Sequence, residues 1–119
     1  MRGENLNTTE LSRKIIETLE EKKAEDILLI DIHEVADFTS VFILCSGSSI
    51  RMLDALANYI VDVVKKHLPR RPRIEGQPEE GWLVLDMGDI VLHLFTPDQR
   101  EYYKIEELWS EGKVLLHLQ

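Results

Sequence analysis

One cysteine, four prolines and no long apolar run mark what this 119-residue chain lacks. Cys45 can form no internal disulfide and closes the apolar run Val41-Phe42-Ile43-Leu44, which fits a core position in a reducing compartment. No apolar stretch approaches the roughly 20 residues of a membrane helix. The opening Met1-Arg2-Gly3-Glu4-Asn5 runs into a charged helical pattern without an apolar signal core, so the expected location is the cytoplasm. There is no internal repeat, low-complexity run or flexible linker, and the length suits one domain with a real core rather than two; a single domain over 1–119 is expected.

Catalytic signatures are missing as well. No P-loop lysine and no GxGxxG occur, and no serine, cysteine or lysine has a recognisable base beside it in sequence. Nothing here demands an enzyme, a cofactor or a metal.

What the chain does have is negative charge in one place. The net charge is −8, and residues 75 to 111 carry ten acids (Glu75, Glu79, Glu80, Asp86, Asp89, Asp98, Glu101, Glu106, Glu107, Glu111) against Arg100 and Lys104. The rest of the chain is balanced. Such a field keeps a protein soluble, repels nucleic acid phosphates and steers a basic partner. Aromatic residues are only 7% of the chain, yet Trp82, Tyr102, Tyr103 and Trp109 all fall within this acidic segment. Trp and Tyr bury much area at low entropy cost and keep a polar handle, as interface hot spots do. Trp109 beside Leu108 is read as core; Trp82 and Tyr103 are read as surface.

The periodicities predict an α/β architecture. Asn7-Thr8-Thr9-Glu10 has the form of a capped helix start, followed by Leu11, Ile15 and Leu19 at helical spacing over about 8–24. Asp26 to Ile32 and Ser40 to Cys45 read as strands, and Leu53, Leu56, Ile60, Val63, Val64 and Leu68 form the inner face of a main helix over about 49–68, stopped by Pro69 and Pro72. Three further strands follow at Arg73-Ile74-Glu75, Trp82 to Asp86 and Asp89 to Phe95, then a last helix from Pro97 to about Trp109. The tail Val114 to Leu118 is either another strand or a loose end.

Two aspartates and a histidine interrupt the apolar stretch Trp82 to Phe95. With Met87-Gly88 as a two-residue hairpin loop, Asp86 and Asp89 would stand opposite each other, an unfavourable pairing that a functional tip would explain. Asp89 and His93 lie about 13 Å apart at ~3.3 Å per strand residue, too far for one metal ion. His93 is read as a partly buried sheet histidine. Ser46-Gly47-Ser48-Ser49 offers amides at a helix start, a weak phosphate signal that equally reads as a tight turn with Ser48 or Ser49 as N-cap. Lys65, Lys66, His67, Arg70, Arg71 and Arg73 cluster where the main helix ends, either offsetting its dipole or touching RNA.

Four motifs, taken together and in order, resemble the ribosomal silencing factor family, RsfS, also called Iojap. They are Cys45 to Arg51, Ile74-Glu75-Gly76, Trp82 to Phe95 and Arg100 to Ser110, and the likeness covers about residues 8–110. The resemblance implies a five-stranded mixed sheet with helices on both faces, similar to a nucleotidyltransferase fold without its catalytic residues. It also implies a protein that binds the large ribosomal subunit at ribosomal protein L-fourteen and blocks joining of the small subunit. Carried over position by position, Trp82, Met87 and Tyr103 look like apolar contacts, and Asp86, Asp89 and Glu101 like acids facing a basic partner. Two departures stand out: Thr39-Ser40-Val41 replaces an acid followed by an aromatic, unless Asp37-Phe38 fills that role in a shifted register, and Met52 follows Arg51 in place of Gln or His. The contact surface, exposed when free, is expected to support a weak homodimer. Two other readings stay open, a nucleotide-handling enzyme using the serine turn and the aspartates, and an acidic adaptor for another basic protein.

Overall fold

Continuous apolar runs and alternating ones end up in different parts of the sheet, for one reason: a central strand is covered on both faces and an outer strand is not. The computed structural model describes residues 6–34, 39–108 and 111–119, with the side chains of Glu106 and Leu108 set aside. Its elements run α1 (Thr8–Glu21), β1 (Glu25–Asp31), β2 (Val41–Ser46), α2 (Ile50–Val64), β3 (Arg73–Glu75), β4 (Trp82–Asp86), β5 (Ile90–Phe95), α3 (Pro97–Tyr103), α4 (Ile105–Leu108) and β6 (Lys113–Leu118). The unbroken runs of β2 and β5 form the central parallel pair, buried at every residue. β4, which alternates buried with half-buried residues, lies outside them.

The strand order is β3-β4-β5-β2-β1-β6, antiparallel except between β2 and β5. This corrects the five strands that the resemblance implied. The tail is the sixth: it pairs with the outer edge of β1, and Leu116 and Leu118 pack beside Leu29 on the core. A register shift opposite Leu29 and Ile30 breaks the alternation of Val114-Leu115-Leu116, so the sequence left the strand undecided.

One face of the sheet carries α1 and α2. Leu11, Ile15 and Leu19 from the first helix and Leu53, Leu56 and Ile60 from the second interlock with Ile43, Leu85, Leu92 and Leu94. Asn7 caps α1 as expected, accepting from the Glu10 amide at 2.8 Å in a capping box. Among the described residues, the helices on the opposite face are the short ones. These replace the single last helix of the sequence reading: Lys104 takes φ +48 and ends α3, and Ile105 restarts the chain as α4 against Phe42, Leu44 and Phe95. Trp109, assigned to the core from the sequence, and Asp37-Phe38, the alternative acid and aromatic, lie outside the described residues.

The β4–β5 hairpin is also shifted by one position. Asp86 pairs with Val91, and the loop residues are Gly88 and Asp89, so the two aspartates do not oppose each other. Glycine at the first loop position, at φ +86, fits the II′ class of turn that matches strand twist.

Candidate functional site

The sheet face away from α1 and α2 joins an aliphatic core of Leu28, Ile30 and Leu44 to an aromatic patch around β4 and β5. Strand alternation turns Trp82 and Val84 toward it from β4, and Val91, His93 and Phe95 from β5, with Phe42 beside them from β2. Trp82 is the hub. Its ring stacks on Phe95 at 5.0 Å and 25°, meets Tyr103 of α3 at 4.5 Å, and donates its indole N–H to His93 Nδ1 at 3.2 Å.

His93 is 7% exposed, and burial pushes its pKa down to about 4. A neutral ring that accepts at Nδ1 carries its proton on Nε2, and that atom has no partner among the described residues. The histidine thus fixes the indole's orientation; the sequence reading of a buried sheet histidine holds.

Over Trp82 the chain leaves a notch of about 240 Å³, lined by Glu75, Gly76, Glu80, Trp82, Val84 and Tyr103. Gly76 makes the notch possible: at φ +92, a Cβ would sit 2.5 Å from the Trp82 carbonyl oxygen. Glu75 is already paired with Arg73 at 3.1 Å, so it is Glu80 beside the two aromatic faces that suits a cationic side chain, through ion pairing and cation–π contact together. Tyr103 is 42% exposed, and Tyr102, set edge-on to it at 5.0 Å, is 78% exposed.

The six contact residues expected from the sequence fall into two groups. Trp82, Tyr103 and Glu101, the last paired with Lys104 at 3.7 Å, stand at one end of β4. Asp86, Met87 and Asp89 stand at the hairpin end, about 17 Å away at ~3.4 Å per residue. Within the second group Asp89 has an exposed side chain, while its backbone carbonyl accepts from the Ser40 and Val41 amides at 3.0 and 2.9 Å. The Asp86 carboxylate is occupied, accepting the Gly88 amide at 2.9 Å and lying 3.7 Å from Arg73, and Met87 is half-buried against the helix-side core. A partner face of ordinary size, roughly 800 Å², would span both groups.

Sequence reasoning missed the supports. Arg100, next to Glu101, is 6% exposed and anchors α3 to the sheet: its guanidinium donates to the Asp26 carbonyl, bonds the Ser46 hydroxyl at 3.2 Å and lies 3.5 Å from the Asp26 carboxylate. The available signal was that Arg100 is one of two bases among ten acids. Glu75 and Glu80 were counted in the acidic field, but their place beside Trp82 depends on the β3–β4 pairing.

The serine turn resolves as structure. Ser49 caps α2, accepting from the Met52 amide at 3.1 Å, and the adjoining cavity of about 280 Å³ includes Glu79, Glu80 and Asp98, which repel phosphate. Cys45 is fully enclosed, and burial raises its thiol pKa to about 12. No helix is long and apolar enough to cross a membrane, and no three His, Cys, Asp or Glu side chains converge on a metal position, among the described residues.

Fold and surface together define a class, the mixed-sheet α/β proteins whose aromatic face stays partly open under a short helix. The family model described as ribosomal silencing factor during starvation, RsfS, matches residues 5–118. The chain belongs to this family of ribosome-associated translational regulators. It is 34% identical to the ribosomal silencing factor RsfS of Bacillus subtilis over 78% of this chain and 79% of that one. It is 36% identical to a mouse protein named for mitochondrial assembly of the ribosomal large subunit, over 81% of this chain and 43% of that longer one. A crystal structure of a Chromobacterium violaceum protein superposes with a TM-score of 0.82 at 33% identity, covering 88% of each chain.

Proposed function

We propose that this chain, acting as a single cytoplasmic domain, binds the large ribosomal subunit through ribosomal protein L-fourteen and blocks joining of the small subunit by steric exclusion. The observation that carries the reading is the acid-rimmed aromatic notch at Trp82 and Tyr103, which suits a basic protein surface. Family membership supplies the ribosomal context. The role is one of binding and occlusion, without catalysis, cofactor or metal. When the protein is free, the same half-exposed aromatics support a weak self-association.

Co-sedimentation with isolated large subunits, followed by addition of small subunits, tests this. The expected result is a pelleted protein and fewer joined ribosomes. A protein that stays in the supernatant, or one that pellets without reducing joining, removes the proposal in its first or second half respectively. The nucleotide-enzyme reading has little support, since carboxylates line the cavity beside the serine turn. The adaptor reading differs only in which basic protein fills the notch, and competition by purified L-fourteen separates the two.

A further inference from the structure

The basic cluster at the end of α2 divides once its partners are counted. Lys65 lies 3.4 Å from Asp62, and Arg73 lies 3.1 Å from Glu75 and 3.7 Å from Asp86. Lys65, Lys66 and His67 occupy the 3-10 turn that closes the helix, where cations offset its negative end. That account does not reach Arg70 and Arg71. Leu68 is already extended at φ −117, and the two arginines follow it in irregular chain, beyond the last turn within which the dipole acts. Both are exposed, and neither has a carboxylate partner among the described residues.

Their backbone is held ready. Pro69 and Pro72 bracket the pair, each fixing its own φ, so the segment loses less chain entropy when a ligand orders it. Planar guanidinium groups are the side chains best matched to phosphate oxygens. An exposed unpaired arginine pair is unexpected in a chain of net charge −8, where acids are plentiful.

Position decides what the pair is for. Arg70, Arg71 and Arg73 share a groove of about 420 Å³ with Asp86, Met87 and Gly88 of the hairpin tip, although some 15 residues separate the two segments. The cationic end is therefore continuous with the face proposed to meet a basic ribosomal protein. We infer that Arg70 and Arg71 bind the phosphate backbone of ribosomal RNA next to that protein, so that one surface of this chain reads a protein–RNA junction: carboxylates toward the protein, arginines toward the RNA. This rests on the large-subunit reading for its setting, and on the groove for its geometry.

Affinity for isolated large subunits, and for protein-free large-subunit RNA, is measured against salt for the native chain, the Arg70→Gln/Arg71→Gln double variant and Trp82→Ala. Circular dichroism confirms that the exposed double variant is folded. The double variant is expected to bind both probes about ten-fold more weakly at low salt, with a slope of log K against log salt reduced by about 1.5 to 2, the loss of two phosphate contacts. Arg70→Lys/Arg71→Lys should recover most of the slope. Trp82→Ala should weaken the subunit complex and leave RNA binding unchanged. Unchanged affinity and slope in the double variant overturn the inference, even if Trp82→Ala shows that the protein contact stands. Weaker subunit binding with unchanged RNA binding also overturns it, placing the arginines on an acidic protein segment. If the native chain ignores large subunits yet binds the RNA through the two arginines, the proposed function fails and the phosphate site remains.

Discussion

The two faces of the sheet are built from different chemistry. Beneath α1 and α2 the side chains are almost all aliphatic, and Ile15, Leu53, Ile60, Leu85, Leu92 and Leu94 are each less than 2% exposed. On the other face Leu28, Ile30 and Leu44 are buried as well, but beside them Phe42, Trp82, His93, Phe95 and Tyr103 form a ring cluster in which Trp82 and Tyr103 stay partly open. Branched aliphatic side chains interlock with no polar atom to satisfy, so they suit a face that never meets water. Trp and Tyr carry one polar atom each and so tolerate a boundary that is wet when free and dry when a partner lies on it. Both faces hold buried core; the difference is that the second also leaves an aromatic edge at Trp82 and Tyr103 open for contact.

The sharpest way to break this comparison is to cut each face. Leu92→Ala on the aliphatic side should destabilise the fold by about 2–5 kcal/mol in urea unfolding, because the surroundings cannot fully close the cavity. A loss below about 1 kcal/mol would mean that this face is not close-packed around Leu92.

The aromatic face should instead respond to pH. His93 has a folded-state pKa of about 4, below the ordinary 6.5, so the fold favours the neutral ring. Its contribution is complete above pH 6.5, falls as pH drops below that value, and is fully lost near pH 4, a span of about 3 kcal/mol. The difference in stability between the native chain and His93→Gln should follow that window; a difference that stays flat with pH removes the role given to burial.

Arg100→Met tests how the second face gets its cover. Losing the bonds to Asp26 and Ser46 should cost about 2 kcal/mol and loosen α3, seen as faster hydrogen exchange over 97–103 than over α2. Equal protection in both helices would place the anchor elsewhere. The smallest expected effect is the most specific: Trp82→Ala and Tyr103→Ala should each weaken large-subunit binding by more than about 1 kcal/mol. Full binding by both variants would move the contact off the aromatic face while leaving the family assignment untouched.

Much of this could be read without coordinates. The Asn7 capping box, the inner faces of both long helices and the buried runs of β2 and β5 follow from patterns that span a few residues. Trp82 and Tyr103, chosen for their chemistry in an acidic segment, do meet, at 4.5 Å. Where the sequence reading slipped, the cause was pairing between distant segments. The hairpin register separated Asp86 from Asp89, and Arg73, from another strand, lies 3.7 Å from the Asp86 carboxylate.

Periodicity, capping and motif order are local properties of the chain, and they were enough for the order of elements as far as β5, for the family and for the location of the charge. Only the tertiary structure decided that the tail joins the sheet as β6, that His93 holds the Trp82 indole, that Arg100 pins the helix bearing Glu101 and Tyr103, and that Arg70 and Arg71 share a groove with Met87. Each of these depends on strand register and helix placement, which are set by how whole faces bury together rather than by any neighbouring residue.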